Sequence, residues 1–354
     1  MIRVPRPRRG RQRVFLGTPR LNAPPGRRLP DVKGRDPQYL AFLRRRLADP
    51  AGSAESARPD GPGGTVEDAR REHAADLTRS PRPPVDTVRD LTVDGPAGPL
   101  PARLYRPACD GPAPVLVYFH GGGWVLGDVD SYDPVVRTLA LASGVAWLSV
   151  GYRRPPEDPF PAAVDDAVAA VRWTVRNAAR LRADPARVAV AGDSAGGQIA
   201  AAAAGILRTP GPDRPVLQVL LYPALDLRDV PPPLPDPDGL ELPRSGVDRA
   251  LRAYLRRTDP TRPDVSPLLD PDPATLPPAI IATAEHDRLR PQAERHAARL
   301  HAAGVPVTLI TGTGLDHGFL GWGAFARRPA EAVAEIGAAV QHALTRAPDR
   351  PETR

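Results

Sequence analysis

From about residue 90 onward, short apolar runs alternate with longer alanine-rich stretches. The runs are rich in β-branched side chains, and the stretches between them carry apolar residues at three- and four-residue spacing, which is typical of helices. Parallel strands need long crossover connections, so the alternation predicts an α/β protein whose mostly parallel sheet has helices on both faces. A chain of 354 residues is long enough for one main domain with a smaller accessory layer.

Eight apolar runs are predicted as strands. The first two lie close together around the Gly/Pro-rich segment VDGPAGPLP, so we expect an antiparallel hairpin at one edge of the sheet. In chain order the runs are DLTV, ARLYRP, VLVYFH, VAWLSVGY, RVAVAG, LQVLLYP, AIIATAE and VPVTLIT. The helical stretches cover roughly 133–143, 161–182, 195–208, 290–303 and 328–346.

Two segments depart from this alternation. Residues 36–80 are predicted as short helices interrupted by SAESARPDGPGG, and residues 228–262 combine the proline run PPPLPDPDG with the helical stretch VDRALRAYLRR. We interpret both as parts of a cap over the sheet. The predicted organisation is a leader, a first cap segment, a main domain in two pieces, a second cap segment and a tail, at 1–30, 31–85, 86–227 with 263–347, 228–262 and 348–354.

The formal charge of +7 is concentrated in the leader. Residues 1–30 hold nine arginines and no acidic residue, so the rest of the chain, with 39 basic and 41 acidic residues, is close to neutral. A Pro/Arg-rich leader without interleaved aromatic side chains is typical of a disordered tail, and we expect no nucleic-acid partner. A short contact with RNA or lipid stays open, and an over-extended start codon would produce the same leader.

The apolar runs and the cysteine content indicate where the protein is located and whether it holds a disulfide or a metal. No run reaches the roughly 20 apolar residues of a membrane span, and none of signal-peptide length follows the arginines, so we expect a cytoplasmic protein. Cys109 is the only cysteine, which excludes an intrachain disulfide, and no Cys/His cluster has metal-site spacing. We therefore expect no metal site. An edge strand at the C-terminal side of the sheet is a candidate for pairing two copies into a homodimer.

The segment RVAVAGDSAGGQIAAAAAGIL places a serine between a predicted strand and a predicted helix. Gly192 and Gly196 flank Ser194, as a sharp turn requires when a Cβ at either position would collide with the backbone. Such a turn lifts the serine hydroxyl above the sheet as a nucleophile. A chance G-x-S-x-G in a Gly/Ala-rich chain is the alternative, which the flanking strand and helix disfavour. Asp193 is expected to hold the turn rather than react.

The strand VLVYFH runs into the glycine-rich segment H-G-G-G-W. Consecutive glycines let backbone N–H groups point inward, so Gly121 and Gly122, with the amide of Ala195, are predicted to donate to the negative oxygen of a tetrahedral intermediate. A phosphate-binding loop is disfavoured because no Lys-Ser/Thr follows and the spacing is not G-x-G-x-x-G. The residues of the segment with supporting roles are His120, Gly123 and Trp124.

His317 is the predicted general base among seven histidines. It lies in the loop TGTGLDHGFLGW after the last predicted strand, from which its ring can reach back to the serine. His120 has a structural role in the glycine-rich segment, and His73 lies in the predicted cap. The other four fall on or beside predicted helices, where a lone histidine is usually solvated: His286, His296, His301 and His342.

The carboxylate that orients the base should lie between the serine and the histidine in the chain, at the end of a strand. Asp287 in AIIATAEHDRLR meets both requirements. Glu285, two residues away, stays an alternative. Asp316 is the immediate neighbour of His317 and cannot easily bond its ring.

At these residues the chain resembles the hormone-sensitive-lipase-like esterases, the bacterial branch of the α/β-hydrolases that carries H-G-G-G-W and G-D-S-A-G-G. The resemblance covers roughly residues 85–345 and includes GDVDSYDPVVRTLA, YPALD and DVSPLL. It implies the α/β-hydrolase fold, an eight-stranded sheet, a helical cap, and hydrolysis of short-chain or aryl esters without a metal or cofactor. The chain departs from the family pattern at Arg154-Pro155-Pro156, at Arg288 and in the proline-rich segment 230–243.

The combined prediction is a serine carboxylester hydrolase that acts on a small-molecule ester through Ser194, His317 and Asp287, with an acyl-enzyme intermediate. Amide or lactone hydrolysis needs the same residues and stays open. A noncatalytic small-molecule-binding protein of the same fold is the alternative from another class.

Overall fold

The computed structural model describes residues 34–48, 65–229, 231–232 and 244–345. The predicted leader and C-terminal tail, the interruption SAESARPDGPGG and most of the proline run lie outside these residues. The described residues all belong to one unit of the chain, Val32–Arg354. None of the helices in this described part is long and apolar enough to cross a lipid bilayer.

An eight-stranded sheet forms the centre of the described chain, in the order β1-β2-β4-β3-β5-β6-β7-β8. The strands are β1 (Thr87–Gly95), β2 (Gly98–Arg106), β3 (Ala113–Phe119), β4 (Ala146–Val150), β5 (Ala183–Asp193), β6 (Gln218–Leu221), β7 (Ala279–His286) and β8 (Val307–Asp316). The pairs β1–β2 and β2–β4 are antiparallel, and all other neighbours are parallel. The predicted mostly parallel, eight-stranded α/β-hydrolase sheet is confirmed.

The predicted hairpin is also present, with a tighter turn than the segment VDGPAGPLP suggests. Gly95 pairs with Gly98, so only two residues lie between the strands. Gly98 adopts a φ of +136°, a region open to glycine. The rest of the segment extends the two strands.

Helices cover both faces of the sheet. They are α1 (Pro37–Ala48), α2 (Val66–Leu77), α3 (Asp133–Ser143), α4 (Ala162–Arg176), α5 (Ala178–Leu181), α6 (Ala195–Ile206), α7 (Arg244–Leu255), α8 (Arg290–Ala302) and α9 (Arg327–Thr345). Side chains of α4, α6 and α8 pack in the core layer on one face, and those of α3 and α9 pack in the layer on the other. Strand β3, at the centre, is buried along its whole length.

The helices α1, α2 and α7 occupy the two predicted cap segments. Residues of all three line one cavity, which also contains Ser194 and His317. The division of the chain into a cap and a main domain stays a prediction.

The contact between α9 and α3 depends on a residue without a side chain. A Cβ on Gly337 would lie 2.4 Å from the carbonyl carbon and oxygen of Ala142.

We expect Gly337→Ala to lower the free energy of unfolding by about 1–3 kcal/mol, because the two backbones must separate. Chemical denaturation measures this free energy of unfolding. The control Gly211→Ala, whose Cβ has its nearest neighbour at 3.9 Å, should change it by less than about 0.5 kcal/mol. Equal effects would contradict the close contact.

Candidate active site

Ser194 lies in a strained turn between β5 and α6. Its φ and ψ are 52° and −117°, and its N–H donates to the carbonyl of Leu221 at 2.8 Å. A Cβ on Gly192 would lie 2.1 Å from the carbonyl oxygen of Gly196, and a Cβ on Gly196 would lie 2.0 Å from that of Phe119. Neither position has room for a side chain. The turn therefore requires glycine on both sides of the serine.

The structure brings the three residues predicted as nucleophile, base and acid together. Ser194 Oγ lies 2.8 Å from His317 Nε2, and His317 Nδ1 lies 2.7 Å from Asp287 Oδ2. The other oxygen of Asp287 accepts the N–H of Leu289 at 2.8 Å. Asp287 follows the end of β7 and His317 follows the end of β8. Both side chains therefore extend from neighbouring strand ends and lie next to the serine.

The two other carboxylates considered from the sequence, Glu285 and Asp316, have different partners. Glu285 Oε2 accepts the N–H of Gly314 at 2.7 Å. Asp316 accepts two hydrogen bonds from Arg35 Nε, at 2.8 and 2.9 Å. Of the three carboxylates weighed from the sequence, Asp287 is the one bonded to the His317 ring.

The protonation of His317 is set by two opposing effects. Burial disfavours the charged imidazolium, but the negative charge and the hydrogen bond of Asp287 outweigh it. The pKa of His317 therefore lies above its ordinary value of 6.5. A proton taken up by this ring is stabilised by the adjacent carboxylate.

Asp193 joins the serine turn to the glycine-rich segment. Its Oδ1 accepts the Tyr118 hydroxyl at 2.5 Å and the Gly121 N–H at 2.8 Å, and the Tyr222 hydroxyl lies 3.5 Å from Oδ2. Burial raises the pKa of Asp193 to about 6, against the hydrogen bond from Tyr118, which lowers it. Among the described residues this carboxylate is an anchor for the segment, and the Ser194 hydroxyl bonds to His317 and not to it.

The bond to Asp193 corrects one sequence-based assignment. The predicted role of Gly121 as an oxyanion donor is wrong, because its N–H already points to Asp193. Gly122 and Gly123 line the cavity together with Ser194 and Ala195. No described residue accepts a hydrogen bond from the amides of Gly122 or Gly123. Their φ angles of +100° and +58° turn the chain so that glycine is required at this bend.

His120 also supports the glycine-rich segment. Its ring stacks on Tyr152 at 4.4 Å between centroids and lies 5.2 Å from the ring of Tyr132. Nδ1 lies 2.9 Å from the carbonyl oxygen of Gly121. Burial lowers the pKa of His120 to about 3, so the ring is neutral at physiological pH.

The expectation that four histidines are solvated is wrong for His296. It is buried in α8 together with Ala293, Ala297 and Leu300, because residues three and four apart on a helix share one face. Burial lowers its pKa to about 4. His286 also differs from the prediction, since it is the last residue of β7 and is half-buried.

A cavity of about 880 Å³ opens beside Ser194. Its lining is largely apolar and comes from the helices of both predicted cap segments as well as from the strand ends. The lining residues Tyr222 and Leu289 lie in the segments YPALD and AIIATAEHDRLR, but the sequence analysis gave neither of them a role in the site. Among the described residues, no group of three or more His, Cys, Asp or Glu side chains is arranged to hold a metal ion.

Known proteins resemble this chain in sequence and in structure. A family model described as the alpha/beta hydrolase fold matches residues 116–321. The esterase LipI of Mycobacterium tuberculosis is 41% identical over 261 residues, which are 72% of this chain and 82% of that protein. An ethyl acetate hydrolase of Pseudomonas putida is 36% identical over 288 residues, or 79% and 91% of the two chains. A hyperthermophilic esterase from Pyrobaculum calidifontis superposes with a TM-score of 0.79 at 36% identity, covering 87% of this chain and 98% of that one.

The matched region coincides with the site. Residues 116–321 begin within β3, before the glycine-rich segment, and end just beyond His317. They include Ser194 and Asp287, and the names of the relatives describe ester hydrolases. The chain therefore belongs to the α/β-hydrolase fold family, in its hormone-sensitive-lipase-like esterase branch, and is a serine hydrolase of the carboxylesterase type.

Proposed function

We propose that the chain hydrolyses carboxylic esters by acyl transfer to Ser194, with His317 as general base and Asp287 as the orienting carboxylate. The observation that carries the proposal is a continuous line of hydrogen bonds, 2.8 Å from Ser194 Oγ to His317 Nε2 and 2.7 Å from His317 Nδ1 to Asp287 Oδ2. Hydroxyl, imidazole and carboxylate in this order allow a serine to lose its proton as it attacks.

In the first step, Ser194 Oγ attacks the ester carbonyl carbon while its proton passes to His317 Nε2. The carbonyl oxygen becomes negative, and the amides of Gly122, Gly123 and Ala195 donate hydrogen bonds to it. When the tetrahedral intermediate collapses, the bond to the leaving oxygen breaks. The proton on Nε2 moves to that oxygen, so an alcohol departs and an acyl-enzyme remains.

In the second step, water attacks the acyl carbon and gives its proton to His317 Nε2. The same amides hold the second oxyanion. Collapse breaks the bond to Ser194 Oγ, which takes the proton back from Nε2, and a carboxylic acid is released. Asp287 keeps the imidazole in the tautomer with the proton on Nδ1 and stabilises the charged ring in both steps.

We propose short-chain or aryl esters as the substrates and the helices α1, α2 and α7 as the cap that surrounds them. The apolar lining of the cavity suits uncharged acyl and alcohol groups. The name of the relative from Pseudomonas putida, an ethyl acetate hydrolase, describes a short-chain ester as the substrate of that protein.

Removal of the nucleophile should abolish ester turnover. We expect Ser194→Ala to lower kcat for p-nitrophenyl acetate by about 10⁴ to 10⁶, because the acyl-enzyme cannot form. Thermal denaturation should show a folded protein. Near wild-type turnover in this variant, or wild-type protein that binds esters without turnover, would contradict the proposal.

Removal of the Asp287 charge should affect both rate and pH dependence. Because the pKa of His317 is raised and the ring must be neutral to accept a proton, wild-type kcat/KM should fall as the pH drops through a value above about 6.5. Asp287→Asn should lower kcat by about 10⁴ and move this limb to lower pH. Glu285→Gln is the control, because it keeps an oxygen for the Gly314 N–H. A rate loss in the control as large as that in Asp287→Asn would point to Glu285 as the acid.

Substrate preference separates the proposal from its alternatives within the fold. We expect kcat/KM for p-nitrophenyl acetate or butyrate to exceed that for the palmitate by at least about tenfold, because the proposed cap limits the length of the acyl chain that fits beside Ser194. Matched p-nitroanilides should react more slowly than the esters, since an amine is the poorer leaving group. Faster anilide hydrolysis would identify an amidase instead.

A further inference from the structure

Gln198 is a fully buried polar residue on α6, one turn after Ser194. Its side-chain oxygen accepts two hydrogen bonds, from Trp124 Nε1 at 2.9 Å and from the Tyr254 hydroxyl at 3.1 Å. Its Nε2 donates to the carbonyl oxygen of Asp264 at 3.1 Å. Both ends of the amide are therefore occupied by groups from three separate parts of the chain.

The two donors to Gln198 also contact each other. The rings of Trp124 and Tyr254 stack with centroids 4.7 Å apart and planes 9° from parallel. Trp124 ends the H-G-G-G-W segment and has a φ of +64°, which is uncommon for a side chain of this size and persists only where the surroundings hold it. Tyr254 belongs to α7, and its carbonyl accepts the N–H of Phe160 at 2.9 Å.

Helix α7 reaches the glycine-rich segment directly. A Cβ on Gly123 would lie 3.3 Å from the Cβ of Ala250, so the helix packs against the backbone of this glycine. Gly123 precedes Trp124 in the chain. Gly123 thus packs against α7 and is followed in the chain by Trp124, which is bonded to Gln198.

We propose that Gln198 is a positioning residue that holds the glycine-rich segment and α7 in one arrangement, so that the docking of α7 and the formation of the oxyanion pocket are coupled. Amides stabilise an oxyanion only if they already point at it when the charge develops. A shift of Trp124 would turn the preceding peptide groups away. This inference rests on the proposed function of Ser194 and of the Gly122 and Gly123 amides.

A purely structural role for Gln198 makes a different prediction. A buried amide that only satisfies its neighbours contributes to the free energy of unfolding, and its loss destabilises the protein without slowing folded molecules. A positioning role reduces kcat of the folded enzyme. The two roles therefore separate when stability and kcat are measured on the same variants.

Gln198→Met is the test, and Gln218→Met is the matched control. Gln218 is equally buried, and its Nε2 donates to the carbonyl of Pro277 at 3.0 Å, but it lies in β6 and belongs to neither α7 nor the glycine-rich segment. We expect both variants to lose thermal stability.

Kinetics with p-nitrophenyl acetate are measured at a temperature where both variants are folded. Gln198→Met should then lower kcat by about tenfold or more. This loss is smaller than the roughly 10² to 10³ that accompanies outright loss of an oxyanion donor. Its KM should stay within about threefold of wild type. A kcat within about twofold of the control would overturn the proposal.

Tyr254→Phe provides an independent test, which also serves if Gln198→Met does not fold. It removes one donor to Gln198 and keeps the stacked ring. We expect a loss of about threefold in kcat, and no additional loss when it is combined with Gln198→Met, because both act through one network. The control is Tyr105→Phe, a buried tyrosine whose hydroxyl donates to Asp133 at 2.9 Å. Unchanged kcat in Tyr254→Phe, or fully additive losses in the double variant, would refute the coupling.

Ser194→Ala, assayed in parallel, separates this inference from the proposed function. If Ser194→Ala keeps wild-type turnover, the proposed function fails. If Ser194→Ala is inactive while Gln198→Met matches Gln218→Met in kcat, only the positioning role of Gln198 fails.

Discussion

The turn at Ser194 constrains the whole active site because no side chain fits at either end of it. The carbonyl of Gly196 occupies the space of a Cβ on Gly192, and the carbonyl of Phe119 occupies that of a Cβ on Gly196. Helix α6 therefore starts in backbone contact with the end of β3. The glycine-rich segment continues from that same end, so the groups proposed to hold the oxyanion begin beside the nucleophile.

A buried carboxylate then determines which amides remain for a substrate. An unpaired charge in the core is costly, so Asp193 needs hydrogen-bond donors, and it finds them in the Tyr118 hydroxyl and the Gly121 N–H. The first glycine of the segment is thereby used to hold the segment against the turn. The second and third glycines face the cavity instead. The first glycine anchors the segment, and the other two are the ones proposed to hold the oxyanion.

The helices of the predicted cap contact different parts of the site. Arg35, just before α1, forms an ion pair with Asp316, the neighbour of His317. Arg70 in α2 donates to the carbonyl of Val125, which follows the glycine-rich segment, at 3.0 Å. Helix α7 meets that segment through Tyr254 and Gln198. The elements that line the cavity thus also touch the loops next to Ser194 and His317.

Patterns that depend on neighbouring residues were readable from the sequence. Strand and helix periodicity predicted all eight strands and the helices between them, because side-chain spacing directly reflects which face is buried. The exception is the predicted helix 161–182, which is divided into α4 and α5. The glycines around Ser194 and the chain order of serine, acid and histidine predicted which residues would meet. Periodicity did not separate His296 from the solvated histidines, because one ring on an amphipathic helix turns inward or outward according to what packs against it.

The sequence by itself determined the sheet, the turn at Ser194 and the set of residues that approach it, since each follows from local spacing and backbone sterics. Only the tertiary structure decided which donor each acceptor receives. It assigned Gly121 to Asp193, Asp287 rather than Glu285 to His317, and Trp124 with Tyr254 to Gln198. These choices depend on distances between side chains far apart in the chain, and a hydrogen bond forms or fails over a few tenths of an ångström.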